Sequence, residues 1–219
     1  MTATSAPAAL QTVDHIVVLM LENRSFDHML GFLYAAERNL SPTGAAFEGL
    51  TGQESNPDQN GRPVAVSQAS GASANLYYLP GADPGEGYIA TNLQLFGTQE
   101  PAGQPANSGF VTDYAATLAW ETKDPGWSVL PGTVDTEIMT MFTPATLPVL
   151  SGLAKGFAVC DQWFSSVPTE TLPNRAFACA ATSQGHMDDD TKTFTSPSIF
   201  TLLGSQGSAG WCTATTARL

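Results

Sequence analysis

The sequence is short of charge, and above all of basic side chains. Charged residues make up 13% of the 219-residue chain, and 20 acidic against 8 basic side chains give a formal net charge of −12. A surface that binds nucleic acid or an anionic membrane needs a basic face. We therefore expect neither nucleic acid nor an anionic lipid surface as a partner of this protein.

Cysteine and long apolar runs are also scarce. Cys160, Cys179 and Cys212 are the three cysteines, an odd number that implies no disulfide framework. Because Cys160 and Cys179 lie in apolar patterns, we expect them to be buried free thiols. No stretch is long enough to span a membrane. The N-terminus has neither the basic nor the apolar region of a signal peptide, so a cytoplasmic location is the default expectation.

The length is sufficient for a single domain over residues 1–219 with a real hydrophobic core. Residues 39–75 are rich in Gly, Pro, Ser, Asn and Gln and show no sustained periodicity. This composition predicts a long surface loop. Loops of such length are usually functional or disordered rather than neutral connections.

The most informative stretch runs from Asp14 to Phe32. A short apolar run follows Asp14 and ends at Glu22 and Asn23, a pattern that predicts a buried strand with oxygen-bearing side chains at its carboxyl end. Ser25 can cap the next helix, whose apolar residues recur with helical spacing at Phe26, Met29, Leu30 and Leu33. In open α/β folds, ligands bind at the carboxyl ends of strands, so Glu22 and Asn23 are candidate site residues.

The rest of the chain repeats this alternation of strand and helix, which predicts an α/β fold. Residues 157–164 form a second apolar run, predicted as a strand. A helix is expected to begin at Thr143 and Pro144 and to end at Gly156. Further helices are predicted from Tyr88 to Phe96 and from Gly109 towards Trp120.

Thr171 lies at the predicted start of another helix, which continues to Gly185. Pro173 suits the first turn of that helix, and the free N–H groups of such a turn favour an anion. From the residues alone, a hydroxyl before such a proline is far more often a helix cap than a nucleophile. The two roles are compatible, because a hydroxyl that faces a metal can lose its proton and attack phosphorus.

Two blocks carry a resemblance to a known family. The string ENRSFDHMLGF, residues 22–32, and the block from Phe157 to Arg175 resemble the phosphoesterase family that contains non-specific phospholipases C and a group of bacterial acid phosphatases. The resemblance implies an alkaline-phosphatase-like α/β/α sandwich of three layers. It also implies that Thr171 is the nucleophile and that Glu22 and Asn23 contact metal and phosphate.

The chemistry implied by this family is metal-dependent hydrolysis of a phosphoric ester. Glu22, Asn23 and Thr171 would hold a divalent cation, for which Mg, Ca or Mn are all suitable. Asn23 would also donate a hydrogen bond to the phosphate, and Arg175 would either pair with the phosphate or support the loop. The substrate would be a phospholipid or another phosphate ester. A phosphomonoesterase and an inactive fragment are the alternatives.

The chain also departs from the family pattern. Glu86 stands where the family typically has a histidine, and full members continue beyond the matched blocks, where they supply an acidic pair that completes the metal site. We therefore expect a domain truncated after its first half, with an aberrant tail at 205–219 that a frameshift would explain. Of the remaining candidates, His28 is expected to pack or cap, and His186 with residues 188–190 to form a solvated acidic turn.

Overall fold

The structure is a computed structural model, and it describes residues 12–21, 24–72, 75–101, 103–190 and 193–210. Glu22 and Asn23, Cys212 and most of the tail lie outside these ranges. In the described residues no helix is both apolar enough and long enough to cross a bilayer.

Helices and small sheets make up the regular structure, which is consistent with an α/β fold. The α-helices are α1 (Phe26–Leu30), α2 (Tyr88–Phe96), α3 (Phe110–Glu121), α4 (Pro148–Gly156), α5 (Thr171–Ala180) and α6 (Ile199–Ser205). Short 3-10 turns occupy Ala35–Glu37, Leu76–Tyr78 and Asp135–Met139. The strands are β1 (Ser55–Pro57), β2 (Pro63–Ala65), β3 (Ser67–Gln68) and β4 (Thr140–Met141).

The strands form two small sheets. β1 and β2 pair antiparallel, with Asn56 opposite Val64, and β3 pairs parallel with β4, with Ser67 opposite Thr140. Three of these strands lie within residues 39–75, the stretch predicted as a surface loop. This stretch also buries Phe47, Leu50 and Asn56, so part of it belongs to the core.

The core lies around the first helix and the two small sheets. Its largest cluster consists of Phe32, Leu50, Val66, Val111, Met139 and Met141. A second cluster contains Leu33, Tyr34, Phe47 and Ala154, and a third contains Ala69, Leu76 and Phe142. Burial of these side chains is the main term that stabilises residues 24–156, the packed body of the protein.

Most predicted helices are confirmed, and their ends follow local chemistry. The Ser25 hydroxyl accepts a hydrogen bond from the N–H of His28, and that of Ser198 accepts one from the N–H of Thr201. Gly97 ends α2 at a φ of 70°, a left-handed conformation that costs glycine little. The predicted end at Gly185 is wrong, because Ala181 takes a left-handed conformation and ends α5.

The predicted helix start at Thr143 is also wrong. Thr143 and Thr146 instead form a local turn, in which the Thr143 N–H donates to the Thr146 hydroxyl at 2.8 Å. The helix begins at Pro148, and Leu147 before it has a ψ of 64°. A residue that precedes proline is disfavoured in the helical region, which explains why α4 cannot extend towards Thr143.

The two predicted strands at 14–21 and 157–164 do not form. Both segments lack regular structure, and their large apolar side chains are exposed, except that Val159 is half-buried against a core cluster. A strand satisfies its backbone only through a neighbouring strand, and no other described segment pairs with either of them. Cys160 is exposed for the same reason and Cys179 is half-buried, so the prediction of two buried thiols is wrong.

Candidate functional site at the start of the fifth helix

The loop before α5 is held by one asparagine. The Asn174 side-chain amide donates to the carbonyls of Val167, Thr169 and Glu170 at 3.0 to 3.1 Å. Its oxygen accepts a hydrogen bond from the N–H of Val167 at 3.1 Å. The two N–H groups of this side chain, shared among three carbonyls, and its accepting oxygen fix the path of this loop into the helix.

Thr171 is the first helical residue and not the cap. Glu170 occupies the cap position in an extended conformation and makes no capping bond through its side chain. Thr171 is half-buried, and within the described part of the chain neither its N–H nor its hydroxyl forms a hydrogen bond. The interpretation of Thr171 as a helix cap is therefore wrong, and its hydroxyl remains available for other chemistry.

The acidic turn at 188–190 contacts the same helix start. The Leu172 N–H donates to Asp189 Oδ1 at 2.6 Å, and the Asp189 N–H donates to Glu170 Oε2. The turn is exposed, as predicted, but its central carboxylate has a structural partner that spacing alone did not reveal. A carboxylate at this position is favoured by the helix dipole.

The acidic turn is also connected to the loop before Thr171. The Thr169 hydroxyl donates to the Met187 carbonyl at 2.7 Å. The His186 ring meets the Phe194 ring edge to face, with centroids 5.4 Å apart. His186 therefore packs against an aromatic ring, and no described set of three His, Cys, Asp or Glu residues is placed to hold a metal ion.

A cavity of about 330 Å³ lies beside Arg24 and the segment 83–88. Its wall is mostly apolar, and its charged members are Arg24, Asp27, Glu86 and Asp113. Gln94 donates to Asp113 Oδ2 at 2.7 Å. Burial raises the pKa of the Asp113 carboxyl above its ordinary value, while the Gln94 hydrogen bond lowers it in part. Burial and the nearby Glu54 both raise the pKa of Asp27.

Arg24 and His28 form one wall of this cavity. Arg24 Nη1 lies 3.5 Å from the His28 ring nitrogens, and Arg24 Nη2 donates to the Tyr77 carbonyl at 3.3 Å. The His28 ring stacks on Phe142 with centroids 4.9 Å apart. Burial, with a smaller contribution from the Arg24 charge, lowers the pKa of His28 to about 4. His28 therefore packs as predicted, and it is neutral at pH 7.

The cavity and the start of α5 are connected through Gly87. A β-carbon on Gly87 would lie 3.1 Å from Glu170 Oε1, so the segment 83–88 passes close to the residue that precedes Thr171. Glu86, its neighbour in that segment, lines the cavity. Arg24 and Ser25 thus line the cavity beside the segment 83–88, and Glu170, which precedes Thr171, lies close to Gly87 of the same segment.

Comparison with known proteins identifies the family. The sequence model of the phosphoesterase family matches residues 13–209. The chain belongs to the phosphoesterase family. The blocks that carry the resemblance, at 22–32 and 157–175, both fall within the matched range.

Its relatives include plant and bacterial phospholipases C. Non-specific phospholipase C1 of Arabidopsis thaliana is 36% identical over 200 residues, which are 88% of this chain and 32% of that protein. Non-specific phospholipase C3 of the same plant is 33% identical over 219 residues, covering 94% of this chain and 37% of the relative. Phospholipase C A of Mycobacterium tuberculosis is 27% identical over 186 residues, covering 82% and 31%. This phosphoesterase chain spans about a third of the length of these relatives.

The predicted site residues can be placed only in part. Glu22 and Asn23 lie outside the described residues, so their distance from Thr171 is not defined. Arg175 is half-buried on the first turns of α5 and has an interaction partner. Of the predicted set, Thr171 and Arg175 therefore share one helix end, and the convergence of Glu22 and Asn23 on it stays a prediction.

Sequence reasoning missed three residues of this candidate site. Arg24 lies inside the ENRSF string, but nothing in its spacing showed that it contacts His28. Asn174 was visible in the string before Arg175, and its role depends on the path of the loop. Asp189 was noticed only as part of an acidic run, because its contact with Leu172 spans 17 residues and is tertiary.

Proposed function

We propose that this chain provides the nucleophile part of a metal-dependent phosphoric ester hydrolase of the phospholipase C type. The observation that carries the proposal is the unengaged hydroxyl of Thr171 at the start of a ten-residue helix. Membership of the phosphoesterase family and relatives named as phospholipases C support the reaction class. A phospholipid is the proposed substrate.

The proposed reaction proceeds in two displacements at phosphorus. The Thr171 hydroxyl loses its proton and its oxygen forms a bond to phosphorus. The bond from phosphorus to the departing alcohol breaks, and the alcohol oxygen gains a proton in place of that bond. Water then attacks the phosphoryl-threonine, which releases the phosphate product and restores the hydroxyl. Asn174 assists by fixing the loop before Thr171, so that the oxygen is held in one position.

The proposed metal ligands are Glu22, Asn23 and Thr171. Their carboxylate, amide and hydroxyl oxygens suit a hard divalent cation such as Mg, Ca or Mn. When bound, such a cation would neutralise phosphate charge and favour ionisation of a nearby hydroxyl. A hard cation takes about six oxygens, so these three residues account for only part of the expected set. Asn23 and Arg175 are proposed to contact the phosphate.

The fold proposed for the complete domain is an alkaline-phosphatase-like sandwich of three layers. In such a fold the apolar segments at 14–21 and 157–164 would become central strands. The polar residues after each segment would then meet at one edge of the sheet.

Two alternatives remain distinct from this proposal. An acid phosphatase would act on phosphomonoesters through the same helix start. An inactive fragment would keep the helix and lack turnover.

The decisive experiment follows nitrophenol release from nitrophenyl-phosphorylcholine and from nitrophenyl phosphate with Mg, Ca or Mn. We expect turnover of the diester that depends on the cation and falls on the order of 10³-fold or more in Thr171→Ala. Thr112→Ala is the matched control, since Thr112 is also half-buried in a first helical turn, where its hydroxyl donates to the Gly109 carbonyl.

A second measurement separates the nucleophile from a positioning role. Mass spectrometry of the quenched reaction should find a phosphorylcholine adduct on Thr171 in the unaltered chain and none in Thr171→Ala. Faster turnover of nitrophenyl phosphate would favour the phosphatase. Absence of turnover and of adduct with every cation would favour the inactive fragment, and turnover that survives Thr171→Ala would exclude Thr171 as nucleophile.

A further inference from the structure

Two tryptophans stand together on the surface at the end of α3. Trp120 is 52% exposed and Trp127 is 45% exposed, and their rings meet edge to face with centroids 5.4 Å apart. Trp127 also lines an open groove of about 980 Å³, together with Val134, which is itself half-exposed. Tryptophan is on average a well-buried residue. Contiguous exposed apolar surface of this kind marks an interaction site.

Residues 120–134, the tryptophan loop, are held in place by their own hydrogen bonds. Asp124 Oδ1 accepts from the Gly126 N–H at 2.8 Å, and the Asp124 carbonyl accepts from the Trp127 N–H at 3.2 Å. The N–H groups of Lys123, Asp124 and Thr133 also donate to carbonyls within the loop. The loop therefore presents its two indoles on a backbone many of whose donors are already engaged.

The tryptophan loop is nearly neutral within a strongly acidic chain. Its charged residues are Glu121, Lys123 and Asp124. Glu121 is buried and accepts from the Asp83 N–H, Asp124 is half-buried in its turn, and Lys123 is exposed. The loop thus offers the solvent one cation and one partly covered carboxylate, although the whole chain carries a net charge of −12. Such a surface is not built to attract an anionic bilayer, and a zwitterionic bilayer does not repel it.

A lipid surface fits this loop better than an added polypeptide strand does. An added strand binds through free main-chain N–H and carbonyl groups, and many donors of this loop are taken. Indoles are enriched at the interface of a bilayer, because an apolar ring with a polar N–H suits a layer that is apolar on one side and wet on the other. The internal hydrogen bonds of the loop also reduce the cost of removing its backbone from water.

The tryptophan loop is joined to the stretch of chain that borders the cavity of the candidate site. The Leu130 N–H donates to the Gly81 carbonyl at 2.8 Å, and the Asp83 N–H donates to Glu121 Oε2 at 3.3 Å. Residues of the same stretch, 80–88, line the cavity. A surface bound at the loop is therefore connected to the candidate site through one short segment.

We propose that the tryptophan loop docks the protein on a zwitterionic phosphatidylcholine bilayer, with Trp120 and Trp127 in the interface and Lys123 at the lipid phosphates. The choice of a lipid partner rests on the proposed function, whose substrate is a phospholipid, but docking itself requires neither a metal nor Thr171. Docking of this kind would hold the protein at a lipid surface that its net charge of −12 does not attract.

The test is flotation of the full 219-residue chain with phosphatidylcholine vesicles in EDTA, so that binding is measured without metal-dependent hydrolysis. We expect the chain to float with these vesicles. The bound fraction should change little when salt is raised, because indoles and not ion pairs carry the binding. Vesicles that also contain phosphatidylglycerol should bind the chain no better than phosphatidylcholine alone.

Matched substitutions assign the contact to the tryptophan loop. Trp120→Ala and Trp127→Ala should each lower the partition coefficient by about tenfold. Trp163→Ala is the control, because Trp163 is 83% exposed, more than either of the other two, but lies outside the loop. It should leave the coefficient unchanged. Circular dichroism of each variant checks that the helices persist, so that loss of binding is not loss of folding.

Fluorescence quenching locates the indoles in the bound protein. Brominated acyl chains in the phosphatidylcholine quench an indole that they contact. The quenched share of the fluorescence should fall in Trp120→Phe and in Trp127→Phe, which preserve an apolar ring. It should rise in Trp163→Phe, because that change removes an indole that the lipid does not reach.

Three outcomes would overturn the proposal: no flotation with phosphatidylcholine, equal losses of binding in Trp127→Ala and Trp163→Ala, and binding that requires an anionic lipid. Self-association without vesicles that is lost in Trp127→Ala would assign the surface to a second copy of the chain instead. A chain that hydrolyses soluble nitrophenyl-phosphorylcholine but does not float retains the proposed function and loses the docking surface. A chain that floats without any turnover does the reverse.

Discussion

The structure contains a helix at 26–30 and at 171–180 but no strand in the apolar segment before either of them, at 14–21 and at 157–164. The sequence predicts a helix in the first two ranges and a strand in the other two. A helix satisfies its backbone within itself, and a cap such as Ser25 completes its first turn. A strand requires a neighbour, and the described residues offer none. An apolar pattern therefore predicts a strand only where a pairing strand is also present.

This comparison implies that stability resides in the packed body at 24–156 and not in the two segments. Substitutions in the body should lower the free energy of unfolding according to the packing and the hydrogen bonds that they remove. Equivalent substitutions in the segments should leave it almost unchanged. The following predictions test this difference, from the largest expected effect to the smallest.

Gly109→Ala should have the largest effect. A β-carbon at Gly109 would overlap the Leu93 carbonyl and would lie 2.6 Å from its carbon, so α2 and α3 would have to separate. We expect a loss of about 3 kcal/mol or more in urea unfolding. Gly152→Ala is the control, since a β-carbon there meets nothing within 4 Å in α4. It should preserve or raise stability, and equal losses in both variants would contradict the expected clash.

Asn56→Ala should cost about 2 to 3 kcal/mol, because it leaves two polar groups of the core without partners. Asn56 Oδ1 accepts from the Phe110 N–H at 2.9 Å, and its amide donates to the Asn107 carbonyl at 2.7 Å. Asn75→Ala, at an exposed position with no capping bond, should change stability by less than about 0.5 kcal/mol. An Asn56→Ala variant with an unchanged free energy of unfolding would show that the hairpin of β1 and β2 is not part of the packed body.

His28 should make stability depend on pH. Its folded pKa is lowered from 6.5 to about 4, so the stabilisation is complete above 6.5 and is lost as pH falls from there towards 4. We expect unfolding free energy to fall by about 2 kcal/mol between pH 7.5 and pH 5 from this residue. His28→Phe preserves a ring against Phe142 and should flatten that part of the profile. An unchanged slope in the variant would show that other groups cause it.

Ser25→Ala should cost about 1 kcal/mol by removal of the hydroxyl that accepts from the His28 N–H at 3.2 Å. The matched change Ser198→Ala removes an equivalent cap at 3.3 Å from α6, a helix with no buried residue. It should fray that helix without lowering the global unfolding free energy. Circular dichroism and urea unfolding of both variants separate the two cases, and equal global losses would contradict them.

Leu19→Ser and Phe164→Ser should have the smallest effect, within about 0.5 kcal/mol. Each side chain is 79% exposed, so little buried surface is lost. Urea unfolding of the isolated chain checks this expectation. A loss above about 1 kcal/mol in either variant would show that the segment packs against the body and would remove the contrast between the two regions.

The sequence predicted the elements whose determinants are local. Ser25 and Gly97 mark helix ends correctly, because a cap acts within one turn. The predicted helix start at Thr143 is wrong, because Thr143 forms a turn with Thr146 and because Pro148 disfavours a helical conformation at Leu147. Burial within 39–75 was missed because it depends on contacts with distant residues, such as Phe47 with Tyr34 and Asn56 with the Phe110 N–H, that composition does not show.

In the candidate site, too, the features with local determinants were predicted and the contacts between distant residues were not. Pro173 in the first turn correctly located the helix start at Thr171, and the resemblance pointed to that hydroxyl as the reactive group. The contact of Asp189 with Leu172 and the stacking of His28 on Phe142 were not predictable, because each joins parts of the chain that are distant in sequence. Glu22 and Asn23 lie outside the described residues, so their part of the site remains a prediction.

The Asp189 carboxylate has a consequence for any anion that approaches α5. The Leu172 N–H already has an acceptor tethered within the same chain, and Pro173 offers no N–H of its own. A phosphate that binds at this helix start would therefore have to displace the Asp189 carboxylate from the Leu172 N–H. This competition would weaken the binding of an anion there, because the carboxylate can return to the same N–H when the anion leaves.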